Sequence, residues 1–397
     1  MDIIPSLIHH FEEDAARRRD IHAHPELAFE EQRTAALVAQ QLEAWGIETH
    51  RGIGGSGVVG VIRRGAGARG VALRADMDAL PITEANRFGH ASRHVGKMHA
   101  CGHDGHTATL LAAARVLAQE GRFDGRVVLV FQPAEETSGG AKAMIEDGLF
   151  DRFPADAIFG FHNRPGLALG HFTLRPGPSS GALVDFKVTL EGKGCHAAMP
   201  HLGTDPVPVA CQMVQGFQTI VSRNKRPIDA GLISVTMIDA GEATNVVSSQ
   251  CVVQGTARCA SGEVLEMVRA RMQDVAQHTA AAHGMDSRIE WSHYCPPVVN
   301  HLAEAAFLRQ LMVELAGPDK VHLRELTMGG EDFGYYLQVK PGSYFGIGIG
   351  DGTHRQAQHG QGPCTLHNAS YDFNDALIPI GATFWVRLAE RFLASST

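Results

Sequence analysis

The sequence has no apolar run near the roughly 20 residues that a membrane-spanning helix needs, so no span is expected. It has no CxxC pair. Its seven cysteines, at 101, 195, 211, 251, 259, 295 and 364, are odd in number and scattered, which argues against a disulfide framework and for a reducing compartment. It has no polybasic arm or basic stripe: 35 lysines and arginines face 43 aspartates and glutamates, a net charge of −8, so nucleic acid is not an expected partner. The opening MDIIPSLIHHFEEDAARRRD carries an early acid and no apolar core of signal-peptide length, so we expect no export and a cytoplasmic protein. With 397 residues, the chain exceeds what one ordinary core organises, and two domains are the default.

What the chain does have is Met98 to Ala108, MHACGHDGHTA. Three imidazoles (His99, His103, His106), one thiol (Cys101) and one carboxylate (Asp104) fall within a few residues, with two glycines between them. Packing alone explains such density poorly, and Cys beside His is a common metal-ligand pairing. A Cys-His catalytic pair is the other sharp reading. A His-rich surface loop is the plain one.

The surrounding chain bears on the choice. Three short apolar stretches read as strands: Gly70 to Leu73, Arg126 to Phe131 and Ala157 to Phe161. Helical stretches lie between them, so the order is β-α-β-α-β and the sheet should be mostly parallel. Ligands bind such sheets outside the carboxyl ends of the strands. Those ends carry Asp76 and Asp78, Glu135 and Glu136, and His162, and the His/Cys cluster belongs at the same edge. From 182 to 293 the order becomes β-α-β-β-α-β, the pattern of a ferredoxin-like insert. The chain then returns, with a buried strand at Tyr344 to Gly350, then His367, and a last helix. The expected architecture is α/β. A mostly parallel-sheet catalytic domain with helices on both faces (1–181 and 294–397) carries an inserted ferredoxin-like α+β dimerisation or lid domain (182–293). Two motif matches fail on context. Gly52, Gly54 and Gly57 fit G-x-G-x-x-G but precede a strand, and GPSSG fits G-x-S-x-G but also precedes a strand.

Neighbouring side chains on an extended segment point opposite ways, so one of Glu135 and Glu136 can bind metal while the other faces water. Candidate ligands are then Cys101, His103, Glu136, His162 and His367. Five exceed what one tetrahedral ion takes, and two ions sharing a thiolate would use them. Glu135 is left as general base.

The motifs HPEL, RADMDALPI, MHACGHDGHTA, QPAEE, GFHN, GKGCHAAMPH, GEATNV, GGEDF and LHNASYDFND span nearly the whole chain in this order. Together they make the sequence resemble the aminoacylase/carboxypeptidase-G-like dinuclear metallopeptidases. Within these it is similar to the amidohydrolase subfamily of hippurate hydrolases, N-acyl-L-amino acid amidohydrolases and indole-3-acetyl-amino acid hydrolases. The resemblance implies two divalent ions (Zn, Mn, Co or Ni) on Cys101, His103, Glu136, His162 and His367, with Cys101 bridging and Glu135 as base. It implies that Asp78 orients a ligand, that the insert forms a homodimer interface, and that His196 reaches the partner's metals. Asn245 and Arg258 are candidates for holding substrate. Departures are Asp76 where the wider clan often has His, Cys195 where the subfamily commonly has Gly, and GGEDF for GSEDF.

The expected reaction is metal-dependent cleavage of N-acyl-L-amino acids. An N-acetyl-diaminopimelate-type deacetylase or a dipeptidase on the same site is the near alternative. A cysteine hydrolase using Cys101 with His103, or a non-catalytic binding protein, is the alternative from another class. His99 and His106 read as hydrogen-bonded residues at a helix start, and Asp332 as a helix cap.

Overall fold

The computed structural model describes residues 1–137, 139–355 and 357–394, which fall into two compact units. The first comprises Met1–Gly177, Val299–Glu325 and Asp332–Thr397. Its strands β1 (Glu48–Ile53), β2 (Gly57–Arg64), β3 (Gly70–Asp76), β4 (Gly125–Gln132) and β5 (Ala157–Pro165) lie side by side in the order β1-β2-β4-β3-β5. Gly342–Gly350, Phe172–Leu174 and Val321–Leu323 complete an eight-stranded sheet. The middle of the sheet, β4, β3, β5 and Gly342–Gly350, is parallel. β1 and β2 form an antiparallel hairpin at one edge, where GIGGSG turns between extended segments as expected. Every residue of β3 is buried, so both faces of the sheet are covered and its sequence reads as an apolar run rather than an alternation.

One helix, His103–Gln119, is buried from His103 to Leu117 and lies at the centre of this core beside Leu73, Leu129, Phe161 and Trp385. Its start is set by glycine. Gly102 has φ 96°, and a Cβ there would sit 2.6 Å from both Asn163 Oδ1 and Tyr371 Oη, so no other residue fits.

Charge then ties this helix to the chain termini. Asp104, in its first turn, faces His22 Nδ1 at 2.8 Å and Arg18 Nε at 3.2 Å. The fully buried Arg18 also binds the Asp372 carboxylate and donates to the Phe373 carbonyl at 2.6 Å. Farther along, Arg115 grips both oxygens of Asp14, at 2.9 and 2.7 Å. Removing one partner from such a group strands the other's charge in the interior, which is strongly destabilising.

The second unit comprises Pro178–Val298 and Leu326–Glu331. Its antiparallel sheet runs in the order Gly231–Asp239, Gln250–Cys259, Ala182–Glu191, Asp286–Cys295. Alternate residues Val184, Phe186, Val188 and Leu190 pack with Met213 and Phe217 of helix Pro206–Arg223 and Leu265 and Met272 of helix Gly262–Ala282. Leu326–Glu331 falls within 294–397, expected in the other domain. Hydrogen bonds bring it here: Gly181 N–H donates to Thr327 O at 2.8 Å, and Arg258 Nη1 to Met328 O at 2.9 Å. Among the described residues, no helix is long and apolar enough to cross a membrane.

Burial alone would lower the pKa of His22, but Asp104 and Glu84 outweigh it and raise it to about 9. The stabilisation is therefore fully present below the unfolded value, about 6.5, and is lost as pH rises through about 9. Thermal unfolding at several pH values across that window should show the stability difference between wild type and His22→Gln shrinking as pH rises. A constant difference would mean that His22 carries no extra proton.

Candidate metal centre

Within the first unit, the carboxyl ends of β3, β4 and β5 meet the start of the buried helix. Cys101 Sγ lies 3.2 Å from His162 Nε2. The donor atoms of Cys101, His103 and His162 are within 4.8 Å of one another. So are those of Cys101, Glu136 and His367, and those of His103, Glu135 and Glu136. The first two trios share the thiol.

Hydrogen bonds set which nitrogens carry lone pairs. His103 Nδ1 donates to the Asp78 carbonyl at 2.9 Å and lies 3.1 Å from Asp78 Oδ1, which leaves Nε2 as the nitrogen that would face a cation once its proton is displaced. His162 Nδ1 donates to the Asn163 carbonyl at 2.8 Å, so its Nε2 lone pair faces Cys101. His103 Nε2 is buried with no hydrogen-bond partner, a rare and costly state for such an atom. His367, held at φ 59° with its N–H on the Ala100 carbonyl at 2.8 Å, brings Nε2 to 3.5 Å from Glu136 Oε1. That is long for a hydrogen bond and ordinary for two ligands of one cation. The donor set, soft sulfur with imidazole and carboxylate, suits a first-row divalent metal.

The electrostatics agree. Burial together with the Glu136 and Glu135 carboxylates pushes the Cys101 thiol up. Burial opposes charge on His103, but Asp76, Asp78 and Glu136 overcome it and raise that ring to about 10. Burial, with His106 and Arg164 near it, pushes His162 down. The pocket holds a surplus of negative charge that a divalent cation would neutralise, displacing protons from sulfur and imidazole.

Asp78 joins two of these groups. Its Oδ1 faces His103 Nδ1, and its Oδ2 accepts the Glu136 N–H at 2.9 Å. Asp76 is engaged otherwise, with His106 Nδ1 and Arg74 Nη1 each 2.6 Å away. His106 is thus hydrogen-bonded as expected, its Nε2 close to Asn163 Oδ1 at 2.6 Å. His99 is not: both ring nitrogens are buried without a partner, and burial lowers its pKa to about 4. Asp332 makes no side-chain bond to the helix that follows it, Phe333–Val339, but its carboxylate takes the Ala141 N–H, in the first turn of helix Gly140–Glu146, at 2.9 Å, together with Arg74 Nη2 at 3.1 Å and Gln132 Nε2 at 2.8 Å. Arg74 and Asn163 are not among the residues expected at the site, although each stands inside one of its motifs, RADMDALPI and GFHN.

The remaining candidates lie in the second unit. His196 and Val246 pair across a two-stranded ribbon, and the Asn245 carbonyl accepts the Ala197 N–H at 3.0 Å. His196 is exposed, and its Nδ1 accepts from Ala198 N–H at 3.0 Å, so the ring proton sits on Nε2. Arg258 spends one donor on the Met328 carbonyl.

A mostly parallel sheet whose strand ends gather Cys, His and Glu donors is an arrangement that suits a metal-dependent hydrolase. The pattern of peptidase family M20/M25/M40 matches residues 72–391, and the chain belongs to that family. The hippurate hydrolase of Campylobacter jejuni is 35% identical to it over 394 residues, covering 99% of this chain and 100% of that protein. The N-acetyl-L-cysteine deacetylase of Bacillus subtilis is 37% identical over 387 residues, covering 96% and 88%. The crystal structure of a Bacillus subtilis dinuclear metal binding peptidase from the M20 family matches this fold with a TM-score of 0.82 at 30% identity, covering 98% and 100% of the two chains.

Because Asp78 orients one candidate ligand through its ring and another through its backbone, Asp78→Ala should weaken metal affinity by about 10–100-fold. Competition against a calibrated chelator measures this. Unchanged affinity would show that the two contacts are incidental.

Proposed function

We propose that the chain hydrolyses the amide bond of N-acyl-L-amino acids, with Cys101, His103, Glu136, His162 and His367 holding two divalent cations and Cys101 shared between them. The observation that carries this is one sulfur common to two donor trios, beside a buried imidazole nitrogen with no partner. The names of the relatives, a hippurate hydrolase and an N-acetyl-L-cysteine deacetylase, support an acylated amino acid as substrate. The sulfur, imidazole and carboxylate donors suit Zn, Mn, Co or Ni.

When bound, the cations supply Lewis acidity that polarises the acyl carbonyl and acidifies the attacking water. The protein's own groups do the rest. Glu135 is outside the ligand set, 8% exposed, with Oε2 3.9 Å from His103 Nε2. It takes the proton from water and passes it to the leaving amine. His196 donates from Nε2 to the oxyanion of the tetrahedral intermediate. This His196 would come from the partner subunit of a homodimer, as the family resemblance implies, and Asn245 and Arg258 remain candidates for holding substrate. A Cys101 nucleophile is disfavoured, because a reactive thiol needs a lowered pKa and this one is raised.

Glu135→Gln should keep its metal and lose roughly 10²–10⁴-fold in rate, whereas Glu136→Gln should lose metal. Metal analysis alongside kcat decides the matter, and a metal-free Glu135→Gln beside a loaded Glu136→Gln would reverse the two roles. The assignment in trans is tested by mixing inactive variants. Combining His196→Ala with Glu135→Ala under conditions of subunit exchange should restore activity to about a quarter of wild type, since half the dimers are mixed and each has one working site. No recovery despite demonstrated exchange would mean that His196 serves its own chain or has no part in the reaction.

A further inference from the structure

Glu135 sits on a turn whose shape is imposed from a distant part of the chain. The residue before it, Ala134, has φ 52°, a left-handed conformation that a residue bearing a Cβ holds only when its surroundings enforce it. The Ala134 carbonyl accepts from the N–H groups of Gly139 and Gly140 at 3.3 and 3.1 Å. Its own N–H donates to Glu31 Oε1 at 2.8 Å.

Glu31 comes from the segment between HPEL and the helix Gln32–Ala44. The oxygen that holds Ala134 also accepts from the N–H of Phe29, itself at φ 63°, at 3.0 Å. Its other oxygen accepts from the Ser56 hydroxyl, in the turn before β2. Glu31 is 0% exposed, so these donors replace the water that a carboxylate otherwise needs. Burial is also the main reason its carboxyl lies above the usual range, which makes a neutral amide a mild replacement here. The turn is therefore fixed at three points. Glu31 holds the Ala134 N–H, Gly139 and Gly140 hold its carbonyl, and Asp78 holds the Glu136 N–H. The last of these fixes a proposed ligand. The first acts on the residue next to the proposed base.

We infer that Glu31 is a positioning residue for hydrolysis: by clamping Ala134 in its left-handed conformation, it aims Glu135 at the attacking water. The inference rests on Glu135 being the base. Losing the clamp leaves the Ala134 N–H buried and unpaired and lets the turn relax toward ordinary backbone angles, so that the Glu135 carboxylate leaves its place while the ligands stay in theirs. Glutamine retains an oxygen for Ala134 and Phe29 and can present its amide to the Ser56 hydroxyl, so it preserves the clamp.

The test uses the metal-loaded full chain with hippurate and N-acetyl-L-cysteine as substrates. Glu31→Ala should lower kcat by about 10–100-fold, the range for losing a group that orients an active-site residue, with KM and bound metal little changed. Glu31→Gln should recover most of that loss. Adding Ala134→Gly to Glu31→Ala should recover part of it, because glycine adopts the left-handed conformation without support. In a Glu135→Gln background, Glu31→Ala should cost nothing further. Should Glu31→Ala not fold, Glu31→Asp, which draws the carboxylate back by one methylene, carries the same expectations. If Glu31→Ala lowers kcat as much beside Glu135→Gln as in wild type, or lowers thermal stability alone, the positioning role is overturned while the base assignment stands. If metal-loaded Glu135→Gln keeps full activity, the base assignment fails, and this inference fails with it.

Discussion

The Asp78 carboxylate is the tie on which the site depends. One oxygen faces His103 Nδ1 and the other accepts the Glu136 N–H. Asp78 lies just past the end of β3, so the position of that strand within the parallel sheet fixes two proposed ligands from two other segments at once. The next carboxylate back along the chain, Asp76, is occupied by Arg74 and His106, and Arg74 extends the connection to Asp332. Alternate residues of one strand end thus have different tasks, one in holding ligands and one in balancing charge.

That division follows from a problem any such pocket has. Cys101, Glu135, Glu136, Asp76 and Asp78 crowd one region, and burial makes each anionic form costly. Arg74 meets part of the cost permanently. The rest stays unbalanced, as the raised Cys101 thiol and the His103 ring at about 10 both register. A protein that fully neutralised this pocket with its own side chains would be more stable and would have no site for a cation, the trade commonly seen where function needs a destabilised cluster.

Much of this was legible in the sequence because its signals are local. The apolar runs at 70–73, 126–131 and 157–161 end in acids or a histidine, and Cys101 and His103 flank the one glycine that can start their helix. The fold class follows from the order of elements, and the family from motifs in sequence. Long-range hydrogen bonds left no such trace. Nothing periodic links Glu31 to Ala134, or Leu326–Glu331 to the strands it joins. His99 differs from its neighbour His106, and nothing in the sequence shows that one ring meets a carboxylate and an amide while the other is buried with no hydrogen-bond partner. Asp332 precedes one helix but caps another, Gly140–Glu146, while Arg74 gives it a charge-assisted partner, and neither long-range contact shows in the sequence.

The discontinuity of the first unit has a consequence for how the protein is made. Synthesis is vectorial, and domains fold as units while the chain emerges. Nearly all of the second unit, Pro178–Val298, is a single stretch and can close on itself as soon as it leaves the ribosome. The first unit must wait. Its strand Gly342–Gly350, His367, and the Asp372 that faces Arg18 are all translated after the second unit. Until they arrive, Cys101 and His103 stand at the start of a helix whose buried charges are only partly matched. The nascent chain therefore carries a nearly complete module flanked by an unfinished one, and the five proposed ligands can meet only after His367 has been added.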